Sequence, residues 1–139
     1  MSDLHISIKD DRIQEKIFEN IINFFEGQLS EGQWIDFVLV TGDITSTGSE
    51  GEFNRALNFF KRLQASLEIP KTNFIFISGN HDYNRKEIDN EFKYIEKPNL
   101  EVYHDIFNSK TFHNHINDAF KNFNLFLKKF RGKTPPLTG

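Results

Sequence analysis

The chain has 139 residues, enough for one domain or for part of one. It contains no cysteine, which excludes disulfides, cysteine-based zinc sites and a thiol nucleophile, and which fits a reducing, cytoplasmic compartment. The formal net charge of −3 offers no basic surface to a phosphate backbone, so nucleic acid is not supported as a partner. No segment approaches the roughly 18 apolar residues of a membrane span, and we expect no membrane partner.

The first chemical signal is Asp3-x-His5, near the start of the chain. In an extended segment, residues two apart project to the same side, so this carboxylate and this imidazole would form a pair of metal ligands. Such a pair should follow a buried strand, and we expect that a strand belongs upstream of it. From Asp10 to Gly27, apolar residues at three- and four-residue spacing predict a helix that covers a sheet, with Asp11 and Gln14 as a capping pair.

The next part of the chain predicts two strands joined by a helix. An apolar run over residues 35–41 reads as a strand and ends at Gly42-Asp43. Ser49 and Glu52 then form a capping box for the helix, and a second apolar run follows over residues 74–78. Strands joined by a helical crossover form a parallel sheet with right-handed connections, so the predicted fold is α/β with helices flanking a parallel sheet.

The second strand stops at four residues that carry chemistry, Gly79-Asn80-His81-Asp82. We expect Gly79 to adopt a positive φ in a sharp turn. The polar groups would then lie at the carboxyl end of the strand, where open α/β sheets place their ligand sites. Taken alone, the tetrapeptide is equally compatible with a Gly-Asn turn that carries a surface histidine.

Beyond Asp82 the sequence becomes charged and then helical. We expect a first domain over residues 1–84, a helical extension or insertion over 85–130, and a linker or truncated end over 131–139. An apolar stripe rich in phenylalanine predicts one helix of about five turns over residues 116–130. Such a stripe is typical of a packing face, whose partner could lie in sequence outside this chain.

Taken jointly, Asp3-x-His5, Gly42-Asp43 and Gly79-Asn80-His81-Asp82 resemble the calcineurin-like metallophosphoesterase superfamily. The resemblance spans residues 3 to 82 and implies the amino-terminal part of an α/β/β/α sandwich that hydrolyses phosphoesters with two divalent metal ions. The resemblance implies that Asp3 and His5 are ligands of the first metal, that Asp43 bridges both metals and that Asn80 is a ligand of the second. It also implies that His81 assists the leaving oxygen and that Asp82 supports His81.

The chain departs from the family pattern in two places. The family closes its site with a later isolated histidine and a Gly-His-x-His motif, whereas this chain has no Gly-His dipeptide and offers His104 and His113-Asn114-His115 without a preceding strand. We assign none of these three histidines as ligands and expect an incomplete domain that is weakly active or inactive alone. A second acidic residue often follows the bridging aspartate by three positions, where this chain has Ser46.

The resemblance implies a mechanism, and other functions remain open beside it. Two metals generate hydroxide and stabilise phosphoryl charge, oxygen and imidazole ligands suit manganese, iron or zinc, and Asp82 would favour the protonated form that His81 needs as an acid. The alternative is a non-catalytic metal-binding or protein-interaction module. A nucleotide-binding domain or a serine hydrolase is disfavoured, because G-x-G-x-x-G, G-x-x-x-x-G-K-[ST] and G-x-S-x-G are all absent. The substrate, a phosphomonoester or phosphodiester, is left open.

Overall fold

The computed structural model describes residues 1–9, 11–84 and 108–132. Within them the chain forms two strands and four α-helices, in the order helix, strand, helix, strand, helix, helix. The elements are α1 (Asp11–Ser30), β1 (Val38–Thr41), α2 (Glu50–Leu67), a 3-10 turn (Lys71–Asn73), β2 (Phe74–Ile77), α3 (Lys110–Ala119) and α4 (Lys121–Arg131). α1 continues to Ser30, three residues beyond its predicted end at Gly27.

The predicted parallel sheet flanked by helices is confirmed. β1 and β2 pair in parallel, with Val38 opposite Phe74, and α2 makes the crossover between them. The capping box that predicted the start of α2 is present, because the Ser49 side chain accepts from the backbone N–H of Glu52 and the Glu52 side chain accepts in return. Both strands are shorter than predicted, four residues each.

The two faces of the sheet differ in burial. Val38, Val40, Phe74 and Phe76 point into the core, whereas Leu39, Ile75 and Ile77 are 46%, 44% and 52% exposed. The described helices cover only one face of the two strands. The strands therefore alternate between a buried and an open side.

The phenylalanine stripe packs inside the chain. Phe126 lies against the rings of Phe53, Phe60 and Phe76 at centroid distances of 5.6, 6.0 and 5.1 Å, and Phe130 contacts Phe74 at 5.2 Å. The stripe thus joins α4 to α2 and to the buried face of the sheet, and it is part of the same core.

The single helix predicted over residues 116–130 is in fact two. The backbone leaves helical geometry at Phe120, with φ −92° and ψ 7°, so this residue ends α3 and begins α4. Residues 85–107 and 133–139 lie outside the described part of the chain, and so the domain boundary at residue 84 and the linker over 131–139 stay predictions. Within the described residues, every helix is too short or too polar to cross a membrane.

Candidate metal centre

The first segment of the chain docks beside the end of β1 through backbone hydrogen bonds. The N–H groups of Asp3, His5 and Ile6 donate to the carbonyls of residues 42, 43 and 44 at 3.3, 3.0 and 2.9 Å. Ile6 also forms an isolated parallel bridge with Thr45 and is fully buried. The segment therefore takes the place of a neighbouring strand, which brings Asp3 and His5 to the carboxyl end of the sheet.

Asp3, His5 and Asp43 form the one group of acidic and histidine side chains, among the described residues, that is suited to hold a metal ion. One ligand atom from each lies within 4.8 Å of the other two. Asp3 is exposed, whereas His5 and Asp43 are half-buried, so the group opens to solvent on one side. This convergence agrees with the predicted ligand pair and with Asp43 as its neighbour, while the ligand roles themselves stay predictions.

The backbone at these three residues is unusual. Asp3, His5 and Asp43 have φ of 56°, 43° and 51°, in the left-handed region that non-glycine residues rarely adopt. Only one other described non-glycine residue, Glu68, has a positive φ. The expectation that Asp3 and His5 share a regular extended segment is therefore wrong, because both residues have positive φ. Strained backbone that coincides with a cluster of candidate ligands points to function.

Gly42 and Gly79 let two loops touch through their backbones. A Cβ on Gly42 would lie 2.8 Å from the Cα of Gly79, and a Cβ on Gly79 would lie 2.2 Å from Oδ1 of Asp43. Gly42 has φ 104°, whereas Gly79 does not have a positive φ. The prediction that Gly79 has a positive φ is therefore wrong. This position needs a glycine because its backbone approaches Asp43 too closely to leave room for a Cβ.

Asp82 lies under the site, fully buried. Its carboxylate accepts hydrogen bonds from the N–H groups of Ile44, Thr45 and Gly79 at 3.2, 2.8 and 2.9 Å and from the Thr45 hydroxyl at 2.9 Å. These bonds fasten the loop after β1 to the loop after β2. Asp82 therefore fixes the backbone of the two loops that carry Asp43 and His81.

His81 lies beside the group of candidate ligands. Its N–H donates to Oδ1 of Asp43 at 3.0 Å, and its ring meets the His5 ring edge-on at a centroid distance of 4.9 Å. Its Nδ1 lies 3.0 Å from the carbonyl oxygen of Ser46. Because a carbonyl can only accept, this contact requires the proton on Nδ1 and leaves Nε2 to face other partners.

The support expected from Asp82 for the His81 ring takes another form here. Both carboxylate oxygens of Asp82 are occupied by the hydrogen bonds that join the loops, and the ring is held by the Ser46 carbonyl. The reason is geometric, since the Asp82 side chain turns inward beneath the loops. The hydrogen bonds of Asp82 therefore reach the loops on either side of His81 and not the His81 ring.

The remaining residues considered in the sequence are Asn80 and three histidines, and none of those that the structure describes is in the group of candidate ligands. Asn80 is exposed and stands between Gly79 and His81, both in contact with Asp43, so the backbone brings it to the same place. His113 and His115 lie on α3 and are not in the candidate ligand group, and His104 lies outside the described residues.

Two residues that steady the site were not identified as doing so from the sequence. The Ser46 hydroxyl donates to the His5 carbonyl at 2.7 Å, and its N–H donates to the Ile6 carbonyl at 3.1 Å. The Gln14 side chain, expected to cap α1, reaches back instead to donate to the same His5 carbonyl at 3.0 Å and to accept from the N–H of Ser7 at 3.0 Å. In the sequence, the only indication that Ser46 belongs to the site is its position three residues after Asp43. Nothing in the sequence indicates that the Gln14 side chain would bind the His5 carbonyl.

Comparison with known families decides the class of protein to which this site belongs. The family model described as calcineurin-like phosphoesterase matches residues 1–134. The chain belongs to the calcineurin-like phosphoesterase family. The match includes every residue of the candidate centre and runs past residue 84 through both carboxyl-terminal helices. No curated protein matches the chain. Membership of this family supports a phosphoesterase-type hydrolase, and it agrees with a site built from two aspartates and a histidine.

Proposed function

We propose that this family member hydrolyses a phosphomonoester or phosphodiester at a site that holds two divalent metal ions. The observation that carries the proposal is the meeting of Asp3, His5 and Asp43, with ligand atoms within 4.8 Å of one another and left-handed backbone at each residue. These are the positions at which the family resemblance predicts metal ligands. Left-handed backbone at all three candidate ligands supports a functional role for this cluster.

The residues present fit the proposed metals. Asp3, His5 and Asp43 offer oxygen and nitrogen donors that could surround one ion, and these donors suit manganese, iron or zinc. A carboxylate can give one oxygen to each of two ions, so Asp43 would bridge them, with Asn80 as an oxygen ligand of the second. When bound, the two ions supply a hydroxide nucleophile and stabilise charge on the phosphoryl oxygens.

His81 is the proposed general acid. The Ser46 carbonyl fixes its ring through Nδ1, so Nε2 is the atom available to a substrate. In the imidazolium form Nε2–H can donate a proton to the leaving oxygen. Its backbone bond to Asp43 keeps the ring next to the proposed ligands.

The experiment that tests the proposal separates metal binding from chemistry with two substitutions. Asp43→Asn removes the bridging charge, so metal content and turnover should fall together. His81→Ala leaves every proposed ligand in place, so metal content should stay while turnover falls by roughly 10²–10⁴-fold. Metal analysis and hydrolysis of an aryl phosphodiester with manganese, on the same preparations, provide both readings.

Each outcome has a defined meaning. If His81→Ala loses metal as Asp43→Asn does, His81 is a ligand and its proposed role is wrong. Turnover by this chain should be weak, since the four proposed ligands are few for two ions. Metal binding that depends on Asp43, without any turnover, would favour the non-catalytic metal-binding module instead.

A further inference from the structure

A cleft begins at His81 and leads away along the surface. Its inner part, of about 600 Å³, lies between the loop of residues 46–49, His81 and α4, and it is lined further by Glu50, Asn84 and Asn122. Its outer part, of about 300 Å³, shares these last three residues and ends among Asp118, Lys121 and Leu125. The two parts share these three residues and so lie side by side between the proposed general acid and the amino-terminal end of α4.

The inner cleft is lined mainly by neutral groups that form hydrogen bonds. The Asn122 amide nitrogen donates to the Gly48 carbonyl at 2.9 Å, which fixes this amide at the cleft wall. Its Oδ1 accepts no hydrogen bond from the described residues. Hydroxyls from the 46–49 loop and the side chain of Asn84 complete the wall. The Ser46 and Thr47 hydroxyls donate to the His5 carbonyl and to Glu52, so each can only accept from a ligand, whereas the Ser49 hydroxyl accepts from the Glu52 N–H and can donate to one. Amides and hydroxyls of this kind recognise the hydroxyl groups of a ligand.

Among the described residues that line the inner cleft, Glu50 is the one carboxylate. It stands where the inner and outer parts meet, at the first position of α2. Its side chain is 69% exposed and lies 3.9 Å from Lys129, whose side chain is 45% exposed. An exposed pair at this distance is weak, so Lys129 offsets only part of the Glu50 charge, and salt screens the effect of that charge on a ligand as it screens the pair.

We propose that this cleft holds the leaving group of the phosphoester and that Glu50 selects a neutral, hydroxylated leaving group over one that carries a second phosphate. The proposal rests on the proposed phosphoesterase function, because His81 then marks the leaving-group side of the site. Amide and hydroxyl groups favour a polyol, and the carboxylate repels an additional anion. Glu50 would act as a specificity-determining residue with no part in the chemistry itself.

The test compares two ligands that differ by one phosphate, fructose 6-phosphate and fructose 1,6-bisphosphate, on the chain loaded with Zn²⁺. Dissociation constants are measured by NMR titration for the wild type and for Glu50→Gln and Glu50→Lys. Glu68→Gln provides the matched control, because it removes the same charge from the other end of α2, about 27 Å away at 1.5 Å per residue. For each protein we take the ratio of the two dissociation constants, and we compare this ratio between variants. A difference in how the two sugars chelate zinc affects every variant equally and so cancels.

We expect Glu50→Gln to improve the binding of the bisphosphate relative to the monophosphate by on the order of 3- to 10-fold, and Glu50→Lys to improve it further. Glu68→Gln should leave the ratio unchanged. In the wild type, resonances of residues 46–50 and of Asn122 should shift with fructose 6-phosphate and much less with inorganic phosphate. A ratio that is the same in all four proteins would overturn the role of Glu50.

Inorganic phosphate distinguishes the two proposals. If phosphate shifts the resonances of residues around Asp43 only when Zn²⁺ is present, the phosphoesterase site stands whatever Glu50 does. If neither phosphate nor either sugar binds in the presence of Zn²⁺, both the site and the leaving-group cleft are overturned. If both sugars bind without shifting residues 46–50 or 122, the cleft is overturned alone.

Discussion

Gly79 packs directly against Asp43, so closely that a Cβ on Gly79 would lie 2.2 Å from Oδ1 and 2.3 Å from the backbone nitrogen of Asp43. Gly79→Ala should therefore push Asp43 out of the candidate metal centre. We expect metal affinity to fall by about 10- to 100-fold, as when the support of a ligand is lost, and stability to fall by about 1–3 kcal/mol from overpacking. Zinc titration and urea unfolding of the same protein measure the two effects.

The matched control is Gly27→Ala on α1, where an added Cβ would meet nothing within 4 Å. Because this glycine is inside a helix, the change should stabilise the protein by about 0.5–1 kcal/mol and leave metal affinity unchanged. Wild-type metal affinity in Gly79→Ala would show that Asp43 does not depend on this contact.

Asp82→Asn tests whether this buried carboxylate acts through the backbone. The asparagine side chain has the same shape as the aspartate but lacks its charge. Its NH₂ group also cannot accept the hydrogen bonds that a carboxylate oxygen of Asp82 accepts from the three N–H groups and one hydroxyl. We expect a loss of about 2–4 kcal/mol in the free energy of unfolding, with weaker metal binding because both loops loosen. Asp36→Asn, at an exposed aspartate before β1, should change neither quantity. Full stability in Asp82→Asn, together with reduced turnover, would instead place Asp82 in the chemistry of His81.

The sequence predicted the elements well because their signals are local. The spacing of apolar residues and the Ser49–Glu52 capping box depend on neighbours along the chain, and α2 begins where they indicate. The break at Phe120 was missed because the phenylalanine stripe continues across it, so the periodicity gave no sign of two helices.

The meeting of Asp3, His5 and Asp43 agrees with the prediction from sequence, while their ligand roles stay predictions and their geometry was not predicted. Asp3, His5 and Asp43 were identified from their order and spacing, yet their left-handed backbone depends on hydrogen bonds between distant segments. The same holds for Gly79, whose role is contact with Asp43, and for Asp82, whose partners lie 37 and 38 residues away. Such contacts belong to the tertiary structure, and no local pattern reports them.

Phe126→Ala tests whether α4 belongs to the core of this chain. Phe126 is 1% exposed and its ring meets those of α2 and β2, so truncation leaves a large cavity and should lower stability by about 3–5 kcal/mol. Phe24→Ala, at a position that is 61% exposed on α1, should change stability by only about 0.5 kcal/mol. Urea unfolding of both variants makes the comparison. A small loss for Phe126→Ala would mean that α4 docks weakly on the rest of the chain.

The contact between His81 and Ser46 predicts a tautomer that NMR can identify. Nδ1 of His81 lies 3.0 Å from the Ser46 carbonyl oxygen, which has no proton to give, so the neutral ring must carry its proton on Nδ1. Free histidine in water prefers the proton on Nε2, and exposed His113 on α3 provides an internal reference for that preference. In a ¹⁵N-labelled sample without metal and with both rings neutral, long-range ¹H–¹⁵N correlations should show Nδ1–H for His81 and Nε2–H for His113. An Nε2–H signal at His81 would mean that the carbonyl does not hold the ring, and the general acid would then lack the support that aims Nε2 at a substrate.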